Sequence, residues 1–344
     1  MHEHAVYTRG VSGKRLLVGV YVDDLVITGS AEEEVSRFKK EMQANFKMSD
    51  LGLLSFYLGI EVQQSSAGIA LCQAQYAARI LELADMAECN PCHTPMEERL
   101  KLSKESAEEL VDATLYRRIV GSLRYLVHTC PDISFFVGVV SRFMEAPTMD
   151  HMGAVKRILR YIAGTISYGL FYVQKKGRIE LLAYSDSDLA GDGSKSTSGV
   201  LLLLGSSLVC WQSLKQRVVA LSSCEAEYIA ANSAATQSVW MAWLLGNLLG
   251  KEAQQVELRV DNLSALALIK NPVFHERSKH IKIRYHYIRQ CAEDGSISGK
   301  YIATKDQLAD IVTKALGRVR FQELRARIGM VQVQSKVART RLRG

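Results

Sequence analysis

The sequence predicts an α/β protein in two parts, and two patterns support this fold class. In the first part, short apolar runs alternate with amphipathic helical segments, as in an α+β domain. In the second part, three consecutive strand-like runs precede an alternation of helices and strands, which is typical of a mixed sheet covered by helices. The length of 344 residues suits about two domains of ordinary size.

The first part is expected to begin with a β-hairpin. Residues 16–22 and 25–28 are apolar and β-prone, and Asp23 and Asp24 lie between them, at the expected tip. A helix with Glu32, Glu33 and Glu34 in its first turn is expected next, because acidic residues suit the helix dipole there. Strands are then predicted at residues 55–63 and 68–71, and helices at 73–86, 115–129, 133–144 and 149–163.

The second part is expected to form a mixed five-stranded sheet. Its strands are predicted at residues 179–185, 199–204, 207–211, 256–260 and 297–302, and its helices at 222–249, 264–269 and 306–315. Gly164 and the turn at residues 175–177 indicate a boundary between the parts. The predicted domains are therefore residues 1–165 and 178–317.

The composition excludes several classes of protein. Hydrophobic residues make up 48% and charged residues 23%, so each part can bury a core. No apolar run approaches the roughly 18 residues of a membrane span, so no membrane partner is expected. Seven scattered cysteines, an odd number, favour a reducing compartment over a disulfide scaffold. We expect an intracellular protein, cytoplasmic or nuclear.

The net charge of +7 is concentrated at the end of the chain. Residues 318–344 contain eight Lys or Arg residues and a single acid, Glu323. The preceding 317 residues are therefore neutral overall. Residues 318–344 are expected to form a basic tail, which either binds phosphates or is simply a solvated appendage.

Four carboxylates occupy key positions of the predicted sheet. Asp186 ends its first strand, Glu225 lies in the first turn of the long helix, Asp261 follows the fourth strand, and Asp310 lies in the last helix. Converging carboxylates can hold two divalent cations for phosphodiester hydrolysis. Aspartates at strand ends are also common turn formers, and a glutamate in a first helical turn often only complements the dipole. Spacing alone leaves both interpretations open.

The second part resembles the ribonuclease H domain of Ty1/copia-type retrotransposon polyproteins. The resemblance rests on six ordered motifs: Tyr184-Ser-Asp-Ser-Asp-Leu-Ala-Gly-Asp192, Lys195-Ser-Thr-Ser-Gly199, Val219-Ala-Leu-Ser-Ser-Cys-Glu-Ala-Glu-Tyr-Ile-Ala230, Val260-Asp-Asn-Leu-Ser-Ala265, Lys279-His-Ile-Lys-Ile-Arg-Tyr-His-Tyr-Ile-Arg289 and Thr304-Lys-Asp-Gln-Leu-Ala-Asp-Ile-Val-Thr-Lys314. It implies a ribonuclease H-like sheet and cleavage of the RNA strand of RNA–DNA hybrids.

The same resemblance implies a metal-binding and catalytic set. Its members are Asp186, Glu225, Asp261 and Asp310, and they would hold two Mg²⁺ ions, with Mn²⁺ as a possible substitute. Asp188, Asp192 and Glu227 are interpreted as neighbours outside the motif position.

The first part resembles the reverse transcriptase of the same polyproteins. Tyr21-Val-Asp-Asp24, Phe46-Lys-Met-Ser-Asp-Leu-Gly52, Tyr57-Leu-Gly-Ile-Glu-Val62 and Tyr116-Arg-Arg-Ile-Val-Gly-Ser-Leu-Arg-Tyr-Leu126 follow the family order. The resemblance implies a palm remnant with thumb and connection helices, in which Asp23 and Asp24 are metal-binding carboxylates. The family's further metal-binding Asp and its fingers region lie upstream of this hairpin, so polymerase activity is not expected.

Two questions stay open at this point. Arg277, Lys279 and His280 either contact nucleic acid or form a solvated basic face. Leu189 stands where the family usually has Trp, and the loop between Asp192 and Lys195 is short. These departures favour an alternative, a catalytically inactive nucleic-acid-binding relic. Other parts of a retroelement polyprotein are further candidate partners.

Overall fold

The computed structural model describes residues 5–10, 14–174, 180–189, 195–270 and 286–333. Three β-sheets and nine helices account for most of these described residues. Arg277, Lys279, His280 and Asp192, which the sequence analysis singled out, lie outside them.

The first sheet contains the predicted hairpin. Its antiparallel strands are β1 (Val6–Arg9), β2 (Leu16–Tyr21) and β3 (Asp24–Gly29). Tyr21 pairs with Asp24, so Val22 and Asp23 form a two-residue turn. Helix α1 (Glu32–Asn45) comes next and carries its three glutamates in the first turn, as predicted. The hairpin prediction is confirmed.

The second sheet joins segments from both ends of the sequence. It is formed by β4 (Phe56–Tyr57), β5 (Ile60–Ser65), β6 (Gly68–Cys72), β7 (Tyr168–Val173) and β13 (Met330–Gln332). Their order is β13-β7-β6-β5-β4, and all neighbours are antiparallel. Strand β7 lies between the two predicted domains and was not predicted.

Four helices lie between β6 and β7 in the sequence. They are α2 (Ala74–Leu83), α3 (Ala113–Leu126), α4 (Ser134–Val140) and α5 (Met149–Thr165). The apolar spacing along each helix buries one face, and Asp112 caps α3 by accepting the N–H groups of Thr114 and Leu115. The four predicted helices are confirmed, with shifted ends.

The third sheet confirms the predicted α/β fold. It contains β8 (Leu181–Ser187), β9 (Thr197–Leu204), β10 (Ser207–Lys215), β11 (Val256–Val260) and β12 (Ile297–Tyr301), in the order β10-β9-β8-β11-β12. The first three are antiparallel, and β8, β11 and β12 are parallel. Its helices are α6 (Ser223–Leu249), α7 (Leu263–Lys270) and α8 (Tyr287–Glu293).

Strand β9 is apolar through most of its length because both faces of the third sheet are covered. Val200 and Leu202 pack into the core under α6, whereas Leu201 and Leu203 pack into the core formed by α2–α5. Alternate side chains of a strand point to opposite faces, so one strand contributes to two cores. The two predicted domains therefore share a hydrophobic core, which continues across the predicted boundary.

The predicted basic tail is corrected for residues 318–333. These residues form helix α9 (Arg318–Arg327) and β13, and Phe321, Leu324 and Ile328 are fully buried. Their spacing of three and four residues places them on one face of the helix. The Phe321 ring packs edge-to-face on Phe136 and Tyr161, with ring centroids 6.0 and 5.6 Å apart. The prediction of a basic tail rested on the number of Lys and Arg residues and therefore missed this apolar face.

Candidate metal centre

The centre of the third sheet brings two aspartates together. Asp186 lies near the end of β8, and Asp261 comes directly after β11. Because β8 and β11 are parallel neighbours, their carboxyl ends meet at the same edge of the sheet. Asp186 is buried and Asp261 is half-buried. The placement of both residues agrees with the sequence analysis.

The third carboxylate of this group belongs to Glu227. One oxygen each from Asp186, Glu227 and Asp261 lie within 4.8 Å of one another. The Oε1 atom of Glu227 accepts the backbone N–H of Ser187 at 3.1 Å. Its Oε2 atom is buried and has no hydrogen-bond partner among the described residues. A buried carboxylate oxygen that lacks a donor suits a metal ligand.

Glu225, the glutamate chosen from the sequence, is not part of this group. Its Oε2 atom accepts the backbone N–H of Leu221 at 2.7 Å, and its own N–H donates to the Ser222 hydroxyl at 3.1 Å. Ser222 therefore caps the start of α6, and Glu225, in the Ser-x-x-Glu spacing, accepts the N–H of Leu221, the residue before the cap. That spacing was visible in the sequence and would have indicated a capping role for Glu225. Glu227, treated there as off-motif, is the glutamate that faces Asp186.

Asp310 reaches the site from a turn and not from the predicted helix. It lies in a 3-10 turn, Ala309–Val312, and its carboxylate is buried. Gly199 pairs with Asp186 in the sheet, and a Cβ atom there would lie 2.8 Å from Val312 Cγ2. The absence of a side chain at Gly199 thus lets this turn press against β9, beside Asp186.

Lys314 joins Asp310 to Asp186. Its Nζ atom lies 2.7 Å from Asp310 Oδ1 and 3.4 Å from Asp186 Oδ2. The Thr313 hydroxyl also donates to Asp186 Oδ2. Asp310 is therefore close to Asp186, but the contact runs through an ammonium group. Burial alone would lower the pKa of Lys314, and the charges of Asp186 and Asp310 outweigh burial and raise it.

Two carboxylates of the site, those of Asp186 and Glu227, have raised pKa values. Burial raises the pKa of Asp186 to about 6; Lys314 opposes this rise, and the charge of Asp310 adds to it. Burial, together with the charges of Asp186 and Asp261, raises the pKa of Glu227 to about 9. A divalent cation would relieve this repulsion, and oxygen ligands suit hard cations such as Mg²⁺. The described residues therefore fit such a cation.

The remaining predicted residues lie elsewhere. Asp23 and Asp24 are exposed at the turn of the β2–β3 hairpin. Within the described residues, the three-carboxylate group contains neither of them. Asp188 accepts the backbone N–H of Thr197, which fixes the ends of β8 and β9. Leu189 is 52% exposed just beyond β8.

A mixed five-stranded sheet with carboxylates converging where two central parallel strands end defines an α/β protein with a candidate divalent-metal centre. A family model described as reverse transcriptase (RNA-dependent DNA polymerase) matches residues 1–98. The retrovirus-related Pol polyprotein from transposon RE1 of Arabidopsis thaliana is 41% identical over 330 residues, covering 95% of this chain and 22% of the polyprotein.

A putative transposon Ty5-1 protein of Saccharomyces cerevisiae is 34% identical over 235 residues, covering 67% of this chain and 76% of that protein. The chain belongs to the copia-type retrotransposon Pol polyprotein family. It spans about a fifth of the length of the RE1 relative, from the 22% covered.

Two solved structures also align with this chain at low identity. One is the N-terminal RNase H domain of Rv2228c from Mycobacterium tuberculosis, at 11% identity and a TM-score of 0.30, covering 43% of this chain and 98% of that chain. The other is LC11-RNase H1 in complex with an RNA/DNA hybrid, at 14% identity and a TM-score of 0.30, covering 39% and 94%. Among the described residues, no helix is long and apolar enough to span a membrane.

Proposed function

We propose that this chain hydrolyses the RNA strand of RNA–DNA hybrids endonucleolytically, in a reaction that depends on divalent metal ions. The observation that carries the proposal is the convergence of Asp186, Glu227 and Asp261, with one oxygen of each within 4.8 Å of the others. The resemblance of the surrounding motifs to copia-type ribonuclease H supports the choice of substrate. An intracellular location, cytoplasmic or nuclear, and association with other parts of a polyprotein belong to the same proposal.

Each carboxylate has a role in this proposal. Asp186, Glu227 and Asp261 would hold one ion, and Asp310 with Asp186 would hold a second, with Mg²⁺ as the natural ion and Mn²⁺ as a substitute. When bound, the ions supply an activated water and stabilise the leaving oxygen. Glu227 also positions the 2′-hydroxyl of the RNA, the group that distinguishes RNA from DNA. Hydrolysis breaks the P–O3′ bond and leaves 3′-hydroxyl and 5′-phosphate ends.

The alternative is a nucleic-acid-binding relic without catalysis. The exposed Leu189 at the edge of the site and the ammonium group on Asp186 and Asp310 favour it. Polymerase activity is not part of either proposal, because the described residues bring no third carboxylate to Asp23 and Asp24. Arg277, Lys279 and His280 stay candidates for nucleic-acid contacts.

The test uses the full chain and an end-labelled RNA–DNA hybrid, with Mg²⁺ and then with EDTA. Metal-dependent cuts in the RNA strand are expected, and Asp186→Asn should abolish them while hybrid binding persists. Hybrid binding without cutting by a folded sample would instead support the relic. Duplex DNA serves as a second substrate, and cutting of it at an equal rate would contradict the choice of hybrids.

The two glutamates of α6 provide a matched pair of variants. Glu227→Gln should reduce cleavage by more than about a hundredfold, since it removes a proposed metal ligand. Glu225→Gln should leave most activity intact, because Glu225 closes the helix start and an amide oxygen can still accept the Leu221 N–H. If Glu225→Gln loses more cleavage activity than Glu227→Gln, then Glu225 is the metal ligand, as the sequence analysis expected.

A further inference from the structure

Asp186 has two different electrostatic environments on its two sides. On one side, Lys314 Nζ lies 3.4 Å from Asp186 Oδ2 and 2.7 Å from Asp310 Oδ1. Arg320 adds a second cation, with Nη2 3.6 Å from Asp310 Oδ2. The negative charge on this side is therefore already balanced by side chains of the protein.

The other side of Asp186 has no such balance. Within the described ranges, no Lys or Arg forms an ion pair with Glu227 or Asp261. Glu227 is only 6% exposed, and its Oε2 atom has no hydrogen-bond donor there. A buried carboxylate without a cation or a full set of donors is costly, so this side attracts a positive ligand.

We propose that Lys314 is an internal cation that occupies the Asp186–Asp310 position until a second divalent ion displaces it. The first ion binds at Asp186, Glu227 and Asp261, where Lys314 pairs only with Asp186 and no described side-chain cation pairs with Glu227 or Asp261. The second ion has to expel the Lys314 ammonium group and therefore binds more weakly. This inference rests on the proposed metal-dependent function and adds an order of binding to it.

The side chain of Lys314 is suited to being displaced. It is 38% exposed, so its flexible four-carbon stem can swing towards solvent without losing a buried position. Asp186 and Asp310 keep their places when it leaves, because Thr313 donates to Asp186 and Gly199 lets the turn stay packed on β9. The carboxylates thus form a prepared position, and the ammonium group is its replaceable occupant.

The test is a calorimetric titration of the metal-free full chain with MnCl₂, in the absence of nucleic acid. For the unaltered chain we expect two unequal binding events, or the stronger one alone. Lys314→Met should tighten the weaker event by about tenfold, a size typical of changes beside a metal site. The stronger event should change much less, because Lys314 contacts only one of its three ligands, Asp186. Lys305→Met, a substitution of an exposed lysine in the preceding turn, is the matched control and should alter neither event.

Melting in EDTA checks that the variants fold and gives a second readout. Lys314→Met should melt at a lower temperature than the unaltered chain, because Asp186 and Asp310 then repel each other. Mn²⁺ should raise the melting temperature of this variant by more than it raises that of the unaltered chain. If Lys314→Met does not fold, Lys314→Gln keeps a hydrogen-bond donor for Asp310 and carries the same expectations. A weaker event that is unchanged or weakened in the folded variant would overturn the inference.

The outcome separates the inference from the proposed function. Two unequal Mn²⁺ events that respond to Lys314→Met, without cleavage of any hybrid, would support the inference and contradict the proposed catalysis. Cleavage of the hybrid, together with two Mn²⁺ binding events of equal strength that Lys314→Met does not change, would support the catalysis and contradict the inference.

Discussion

Glu227 combines burial with two neighbouring negative charges. Its pKa is raised from an ordinary value of 4.5 to about 9, and that of Asp186 from 3.8 to about 6. A raised pKa means that the folded state holds the proton more tightly than the unfolded state does. The resulting stabilisation is complete below the unfolded pKa and disappears as the pH rises through the folded pKa.

The metal-free protein should therefore lose stability between pH 4.5 and about 9. Glu227→Gln cannot ionise there, so its melting temperature in EDTA should fall less across this range and be higher than that of the unaltered chain at pH 9. Glu225→Gln is the control and should keep the full pH dependence. The measurement is a series of thermal melts in EDTA. Parallel curves for Glu227→Gln and the unaltered chain would contradict the burial of a protonated Glu227.

Metal binding and protonation at Glu227 should be coupled. At pH 7.5 the raised pKa keeps Glu227 mostly protonated, and a metal ligand has to be deprotonated. We expect Mn²⁺ binding at this pH to release about one proton, measured as the dependence of the calorimetric heat on the buffer's ionisation enthalpy. Glu227→Gln should abolish this dependence along with the tight binding. No buffer dependence in the unaltered chain would contradict the coupling.

At the residue scale, the strand ends and the start of the long helix were predictable from the sequence, but the capping role of Glu225 at that helix start was missed. Asp186 and Asp261 lie at the ends of parallel strands, and the order of strands was enough to bring them together. The choice between Glu225 and Glu227 depended on where α6 begins, and the cap at Ser222 decides it. The ion pair between Lys314 and Asp310 was not predicted. It depends on a 3-10 turn, which the sequence pattern does not distinguish from an α-helix.

Helix α9 shows the same limit for a whole element. Its sequence, Arg-Val-Arg-Phe-Gln-Glu-Leu-Arg-Ala-Arg, is dominated by charge, so composition favoured a solvated tail. Three apolar residues in the right phase, Phe321, Leu324 and Ile328, were enough to bury one face against the core. Strand β13 could not be predicted at all, because three residues gain stability only from pairing with β7.

Removing the buried face of α9 should be costly. Phe321→Ala deletes a fully buried ring that packs on Phe136 and Tyr161, and we expect it to reduce the free energy of unfolding by about 3–5 kcal/mol. Val319→Ala, at a position that is 82% exposed in the same helix, should change it by less than about 0.5 kcal/mol. Chemical denaturation measures both. If Phe321→Ala leaves the free energy of unfolding unchanged, the interpretation of this segment as a solvated tail would be correct after all.

At the scale of the molecule, one of the hydrophobic cores formed by the described residues crosses the predicted domain boundary. Tyr184, Leu201 and Leu203 of the third sheet pack with the helices of the first part. The Trp211 indole N–H also donates to the backbone oxygen of Val127 in the first part, at 3.1 Å. The sequence analysis divided the chain into two domains, at residues 1–165 and 178–317, and the burial of both faces of β9 joins them.

This joint core predicts that the two parts unfold together. All three tryptophans lie between residues 211 and 243, so their fluorescence follows the unfolding of the second part, including the contact of Trp211 with Val127. Phe136→Ala removes a buried ring from α4 in the first part, and it should shift the tryptophan midpoint in urea as much as the circular dichroism midpoint. Phe46→Ala, an exposed position in the same part, should shift neither. If Phe136→Ala leaves the urea midpoint of the tryptophan fluorescence unchanged, the two parts unfold independently.

Because β13 pairs with β7, the second sheet can be completed only after the last described residues of the chain have been synthesised. Strand β7 leaves the ribosome long before Met330–Gln332 exist, and Phe321, which fills the space between α4 and α5, is also made late. Until then the earlier helices keep an apolar surface open to solvent. Contacts between segments so far apart in sequence form slowly, and partly folded chains with exposed apolar surface tend to aggregate. The first part, although synthesised first, is therefore completed last, and an interrupted translation product that ends before α9 would leave this apolar surface uncovered.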